Sequence, residues 1–240
     1  MDRPYTKYPR SVLWLLRGGT FTMGGPEPDA SPPFEIELPP YYIGTTVITN
    51  RQYEAFAPNH RRGPDSPGDD DPATGVSFRD AAGYCAWYAR ISRKPIRLPS
   101  EAEWELACRG GSPGRYPWED DGAAHAEFAW LAENSGGRVH EAQSLRPNGL
   151  GLYGTIGNVW EWTSSLYIPY PVRPGDGRDD LFARGERVLR GGSFRTPVEM
   201  AGCSVRRAAA EELALDDVGF RIVREFPGAT SRRMADRTKT

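Results

Sequence analysis

Residues 150–162 read LGLYGTIGNVWEW, and two later stretches share their character: RGGSF at 190–194 and VGFR at 218–221. Glycine lets the backbone take positive φ and approach other groups closely. Trp160 and Trp162 flank Glu161, bringing large apolar area and indole donors that need partners. Ordinary helices and strands do not need this mixture. It reads as the floor of a compact, loop-built site.

The chain has 240 residues, enough for one large domain or two small ones. No break in composition separates two cores, so one domain is expected over 1–226. The segment 227–240 reads as a polar, basic tail, expected to be disordered. With 38% apolar residues a core can be built, while 27 Gly and 22 Pro call for frequent turns. A net charge of −2 with interspersed Arg and Asp gives no clustered basic face, so no nucleic-acid partner is expected. Three widely spaced cysteines argue against a disulfide framework and for a reducing compartment. The apolar stretch 12–16 is too short for a signal peptide, and no run approaches membrane-spanning length. A cytoplasmic protein without membrane contact is expected.

Trp14-Leu15-Leu16, Phe21-Thr22-Met23 and Tyr41-Tyr42-Ile43 read as short strands. Three helix starts follow: Thr49 with Gln52 and Ser100 with Glu103 as capping-box pairs, and between them a start at Ser77 and Asp80. Ala81, Tyr84, Cys85 and Tyr88 make the apolar face of the second helix. Trp104, Ala107 and Cys108 make that of the third, with Gly110 as its C-terminal glycine. The Pro/Gly/Asp-rich loop 57–72 is expected to be mobile. Beyond residue 110, Pro117-Trp118, Phe128-Ala129-Trp130 and 159–163 read as extended pieces, 169–186 as a polar loop, and 187–194 and 219–224 as late strands.

Residues 149–154 match G-x-G-x-x-G, but no helix follows, and a dinucleotide site needs one. His60, His125 and His140 lack zinc-ligand spacing and read as surface or loop residues. Cys85 and Cys108 read as small buried hydrophobes. Cys203 stands beside Arg206 and Arg207, which would lower a thiol pKa. A core cysteine is the leading reading there and a reactive thiol the alternative. Glu161 needs a buried partner: an arginine such as Arg190 or Arg221, or a cation. Asp69, Asp70 and Asp71 read as a solvated loop tip.

Over residues 15–224 the chain resembles the formylglycine-generating-enzyme (sulfatase-modifying-factor) superfamily. The matching pieces, in the family's order, are GTFTMG at 19–24, TNRQY at 49–53, GVSF at 75–78, RLPSEAEWE at 97–105, YPW at 116–118 and NSGG at 134–137, followed by the three stretches above. The resemblance implies an α+β, C-type-lectin-like architecture: short irregular strands, two to three helices and many loops. The superfamily holds copper-dependent oxidases of a sulfatase cysteine, C-terminal domains of iron enzymes, non-catalytic paralogues and ligand-binding proteins, so fold alone does not set function.

The resemblance implies copper(I) held by two cysteines after the Gly-Gly-Ser-aromatic motif, and thiolates suit that ion. Here Arg195-Thr196-Pro197-Val198 follows, the first cysteine is missing, and Cys203 aligns with the second across a small insertion. Copper is therefore not expected. A family calcium site would use the position of Gly154, carbonyls near Gly157 and Val159, and the carboxylate of Glu161. With glycine at 154 that site is degenerate. The helical metal-binding domain of the iron enzymes has no room in this chain. The expectation is a non-oxidase binding or regulatory module. It would present a cleft of Trp160, Trp162, Ser193, Phe194 and Arg195 to a protein or peptide partner. The alternative is an oxidoreductase with Cys203 as its catalytic residue. A third reading makes the basic tail or loop 57–72 a processing or docking segment.

Overall fold

Three reciprocal capping boxes start the main helices of this computed structural model, which describes residues 10–118, 124–173 and 175–227. Thr49, Ser77 and Ser100 each accept from the backbone three residues on, and Gln52, Asp80 and Glu103 each reach back to the cap N–H. The helices are α1 (Asn50–Glu54), α2 (Phe78–Ser92) and α3 (Glu101–Arg109). α3 stops at Gly110, whose φ of 61° only glycine adopts without strain. α2 buries Phe78, Ala81, Tyr84, Cys85 and Tyr88, one face at helical spacing.

Among the described residues, ten short strands form three sheets. The first, in order β1 (Leu13–Leu16), β4 (Tyr41–Gly44), β10 (Val223–Glu225) and β5 (Ile96–Arg97), is antiparallel throughout and sets the last strand between the first third of the chain and the helices. β2 (Gly19–Met23) and β3 (Phe34–Leu38) make a separate hairpin. The third sheet runs β8 (Arg206–Ala210), β7 (Glu186–Arg190), β6 (Trp160–Leu166) and β9 (Val218–Gly219), with β6 and β9 parallel. This is the expected α+β architecture of short strands, few helices and long connections. The largest apolar cluster lies between α2 and the third sheet, where Tyr84 meets Phe220 edge-on at 5.4 Å.

Five local expectations change. β3 is missed in the sequence because prolines at 32, 33, 39 and 40 hide an FEIEL alternation. β8 is missed because Arg and Ala are weak strand formers; packing decides it, with the Arg206 guanidinium held by Glu101. Phe128 closes a short helix, α4 (His125–Phe128), instead of an extended piece. Segment 219–224 divides between two sheets. Loop 57–72 is tied down rather than free: Asn50 Nδ2 donates to the carbonyls of Ser66 (2.9 Å) and Gly68 (2.8 Å), and the Ser66 hydroxyl donates to Pro72 O (2.6 Å). The expected disordered tail lies beyond Pro227, outside the described residues. No described helix is long and apolar enough to cross a membrane.

Candidate functional site

The three glycine- and tryptophan-rich stretches converge on α3. Arg221 grips Glu161 with two hydrogen bonds, Nε to Oε2 at 2.6 Å and Nη2 to Oε1 at 2.7 Å. Trp104 Nε1 donates to the same Oε2 at 2.9 Å. Arg190 pairs instead with Glu105, and its Nε lies 3.7 Å from Glu101. Glu101 also takes a two-point contact from Arg206 (2.6 and 3.0 Å), and Glu103 one from Arg97 (2.6 and 2.7 Å). All three α3 glutamates are buried, as are Glu161, Arg190, Arg206 and Arg221. Of the two arginines expected for Glu161, Arg221 takes the place. Residues that read as the floor of a site thus form the charged interior of the fold.

The cation positions implied by the resemblance are occupied by this framework. Arg221 Nη2 donates to Tyr153 O (3.1 Å) and reaches Gly154 O (3.5 Å). A side chain at Gly157 would meet Trp130 O at 2.3 Å, and the Gly157 N–H donates to Gly191 O. Val159 packs among Val47, Val139, Ala142 and Phe194. The one carboxylate of the set, Glu161, is neutralised by Arg221 on both oxygens. Calcium seeks six to eight oxygens, so these residues do not fit it. Among the described residues no group of three or more His, Cys, Asp or Glu is placed to hold a metal ion. His140 stacks on Trp130 and pairs with Ser135 O (2.7 Å), while residues 149–154 lie outside any strand or helix.

Cys203 is 0% exposed. It sits with Trp104, Tyr116, Trp118 and Ile156 in an apolar cluster that includes neither Trp160 nor Phe194. Its sulfur lies 3.1 Å from Cys108 Sγ. Burial, then the contact with Cys108, pushes the Cys203 thiol well above its usual pKa. The lowering expected from Arg206 and Arg207 is absent for a geometric reason. Arg206 turns to Glu101, while Arg207 is exposed with its guanidinium 5.8 Å from the Trp160 ring. Of Thr196 and Val198, where the resemblance calls for the first copper cysteine, Thr196 Oγ1 accepts from Ser193 N (2.9 Å) and Val198 opens a single 3-10 turn (Val198–Met200). Neither sulfur reaches solvent, so these residues do not fit an open copper site that a peptide cysteine could enter.

The predicted cleft residues separate by depth. Trp162 is wholly interior: its indole donates to Val76 O (2.9 Å) and meets Phe78 edge-on. Trp160 and Phe194 are buried. Gly191 and Gly192, at φ of 99° and 78°, turn the chain out of β7 toward Ser193. The buried Ser193 hydroxyl donates to Asp217 (2.9 Å) and accepts from Arg195 N (3.3 Å). Arg195 is the exposed member, 45% accessible. Its guanidinium lies over Phe194 (4.5 Å), pairs with Asp216 (2.6 and 2.9 Å) and reaches Asp65 of loop 57–72 (2.9 Å). The hydrogen bond from Arg195, outweighing partial burial, holds the Asp216 carboxyl below its ordinary pKa. The exposed face is thus a charged surface over an aromatic base, not a deep cleft. A groove of about 700 Å³ lies elsewhere, walled by Phe21, Pro26, Pro33, Leu106 and Arg109. Sequence reading missed it because its walls come from β2, α3 and two proline loops that share no motif.

Residues 2–226 match the sulfatase-modifying factor enzyme 1-like domain. The formylglycine-generating enzyme of Streptomyces coelicolor is 30% identical over 264 residues, covering 78% of this chain and 80% of its own. The mouse protein named inactive C-alpha-formylglycine-generating enzyme 2 is 29% identical, covering 86% and 83%. The structure of PvdO from Pseudomonas aeruginosa superposes with a TM-score of 0.79 at 27% identity, covering 89% of this chain and 94% of that one. Helix starts, sheet order, buried motif network and family match agree: this chain belongs to the sulfatase-modifying factor, or formylglycine-generating-enzyme, family.

Proposed function

We propose that this domain is a binding or regulatory module of its family, without the copper oxidase activity, and that it takes a protein or peptide partner on the Arg195 face. One observation carries the reading: Cys203, the thiol an oxidase would need, is enclosed in apolar side chains and faces Cys108. No described thiol opens onto the surface around Ser193, since Cys85 and Cys108 are buried as well. An oxidoreductase working through Cys203 lacks both a route for substrate and a thiolate to begin with. A relative named inactive, 29% identical over 86% of this chain, supports this reading. The Arg195 face has the chemistry of a peptide site: an Arg stacked on an aromatic ring and paired with two carboxylates.

Two measurements test this. Copper(I) titration with oxygen uptake on a cysteine-containing peptide is expected to show no peptide-dependent turnover. Stoichiometric copper binding with turnover would sink the proposal. Peptides selected on the protein from a displayed library are expected to lose about tenfold or more in affinity for Arg195→Ala, as truncation of a central arginine does. Peptides indifferent to that substitution place the partner elsewhere and overturn the assignment of this face.

A further inference from the structure

β1 is the first strand of its sheet and pairs with β4 on one side only. The ladder fixes which way its backbone points. The Gly44 N–H donates to Ile222 O and the Thr45 N–H to Val12 O, so alternate residues of this stretch face β10 and β1. Trp14 and Leu16, opposite Ile43 and Tyr41, therefore turn their peptide groups toward β4. Leu13 and Leu15 turn theirs outward, to an edge that no other described strand takes. The same edge is apolar. Of seven exposed large hydrophobic residues among those described, Val12 (67% exposed), Trp14 (55%) and Leu15 (39%) fall within four positions. Folded monomers blunt such an edge with a charge, a proline or a bulge. Residues 12–16 contain no charge and no proline, and their register with β4 runs without a shift.

We propose that β1 is a dimer interface, pairing antiparallel with β1 of a second copy of this chain about a two-fold axis through Trp14. The register follows from the backbone. The outward peptide groups of β1 belong to Leu13 and Leu15, placed evenly about Trp14. With Leu13 opposite Leu15 of the second copy, both N–H and both C=O groups of each strand are paired, giving four hydrogen bonds across the axis. The two copies of Trp14 then face each other at the non-hydrogen-bonded position, where opposing side chains approach most closely and aromatic pairs add stability. Val12 stands opposite Leu16. Every facing pair from 12 to 16 is thus apolar, and Arg17 falls opposite Ser11, so no like charges meet. A slip of two residues in either direction sets a leucine opposite Arg17 or Ser11 and separates the tryptophans.

This symmetry selects the occupant. An unrelated extended peptide would need its own apolar run in the same spacing, and the second copy already carries it. The interface is isologous: one patch meets itself, and the pairing closes at two copies because it uses up the outward edge of both β1 strands. It joins two four-stranded sheets into one. A strand edge this short makes a small interface, so the dimer is expected to form in the micromolar range and to dissociate on dilution.

Sedimentation of the full-length chain over a micromolar concentration series tests this, and a monomer–dimer equilibrium is expected. Trp14→Lys and Trp14→Glu each set like charges directly opposite across the axis, and each is expected to weaken dimerisation by about tenfold or more. Mixed in equal amounts, the two variants are expected to form a heterodimer, because the facing charges then attract. That recovery also shows that both variants are folded. Wild-type chain that stays monomeric throughout the series, a dimer unaffected by either variant, an assembly that grows past two copies, or variants that stay monomeric when mixed overturns the proposal. The measurement needs no peptide, and Arg195→Ala is expected to dimerise as wild type does, so it stands or falls apart from the proposed function.

Discussion

Glu161 and Arg195 show how differently two charged residues of one motif region act. The Glu161–Arg221 pair is fully buried, and removing one member leaves the other charge unpaired in the core. Such a loss costs about 3–5 kcal/mol. Glu161→Gln is expected to lower unfolding free energy by that amount in denaturant titration, and a loss below about 1 kcal/mol would show that Arg221 finds another partner. Arg195 is 45% exposed, and its pairs with Asp65 and Asp216 lie at the surface. Exposed pairs contribute about 0–1 kcal/mol, so Arg195→Ala is expected to leave unfolding nearly unchanged. That contrast makes Arg195 a clean probe of partner binding. The need of Glu161 for a partner was legible in the sequence, down to two candidate arginines. Which one it takes was not, because Glu105 and Glu101 capture Arg190 from a helix 85 or more residues away.

At the scale of elements, α3 carries the most information. Its capping box and its Trp104–Ala107–Cys108 stripe are plain in the sequence, and both stand in the structure. Three glutamates in five residues would ordinarily mark a solvated face. Here they are inside, since Arg190 and Arg206 approach from strands distant in sequence and Arg97 from β5 just ahead of the helix. Local pattern cannot show that burial, which depends on long-range partners. It has a pH consequence at Glu103. Burial works to raise that carboxyl's pKa, but the charge and hydrogen bonds of Arg97, with those of Ser100, hold it below the ordinary value. A depressed folded pKa gives stability that is present above the unfolded value of about 4.3 and lost as pH falls through the lower folded value. Urea titrations on the acid side are expected to show stability falling with pH in wild type. Glu103→Gln is expected to be less stable at neutral pH and to lose part of that acid slope. An unaltered slope in the variant would assign acid lability to other groups.

For the whole molecule, ordered motifs disclosed the family, but not the cysteine contact or the groove. A family signature records residues that hold the fold, and here those residues are the ion-pair network around α3. Surface chemistry uses residues that no shared pattern constrains. The same reasoning locates the step that closes the fold. β10 hydrogen-bonds to both β4 and β5, with Val223 opposite Ile43 on one side and Arg97 on the other. It therefore joins the N-terminal strands to the helical half, and Val223 is fully buried between them. A chain ended after Ile222 loses the central pairing of that sheet and leaves the edges of β4 and β5 open. Its expected behaviour is loss of a cooperative thermal transition and of near-UV aromatic dichroism. Val223→Asp tests the same join without shortening the chain: an unpaired carboxylate in the apolar cluster with Tyr41 and Ile43 is expected to destabilise by several kcal/mol. If either variant unfolds cooperatively at the wild-type temperature, the two halves fold without β10, and the first sheet is an accessory to a core built by α2, α3 and the β6–β9 sheet.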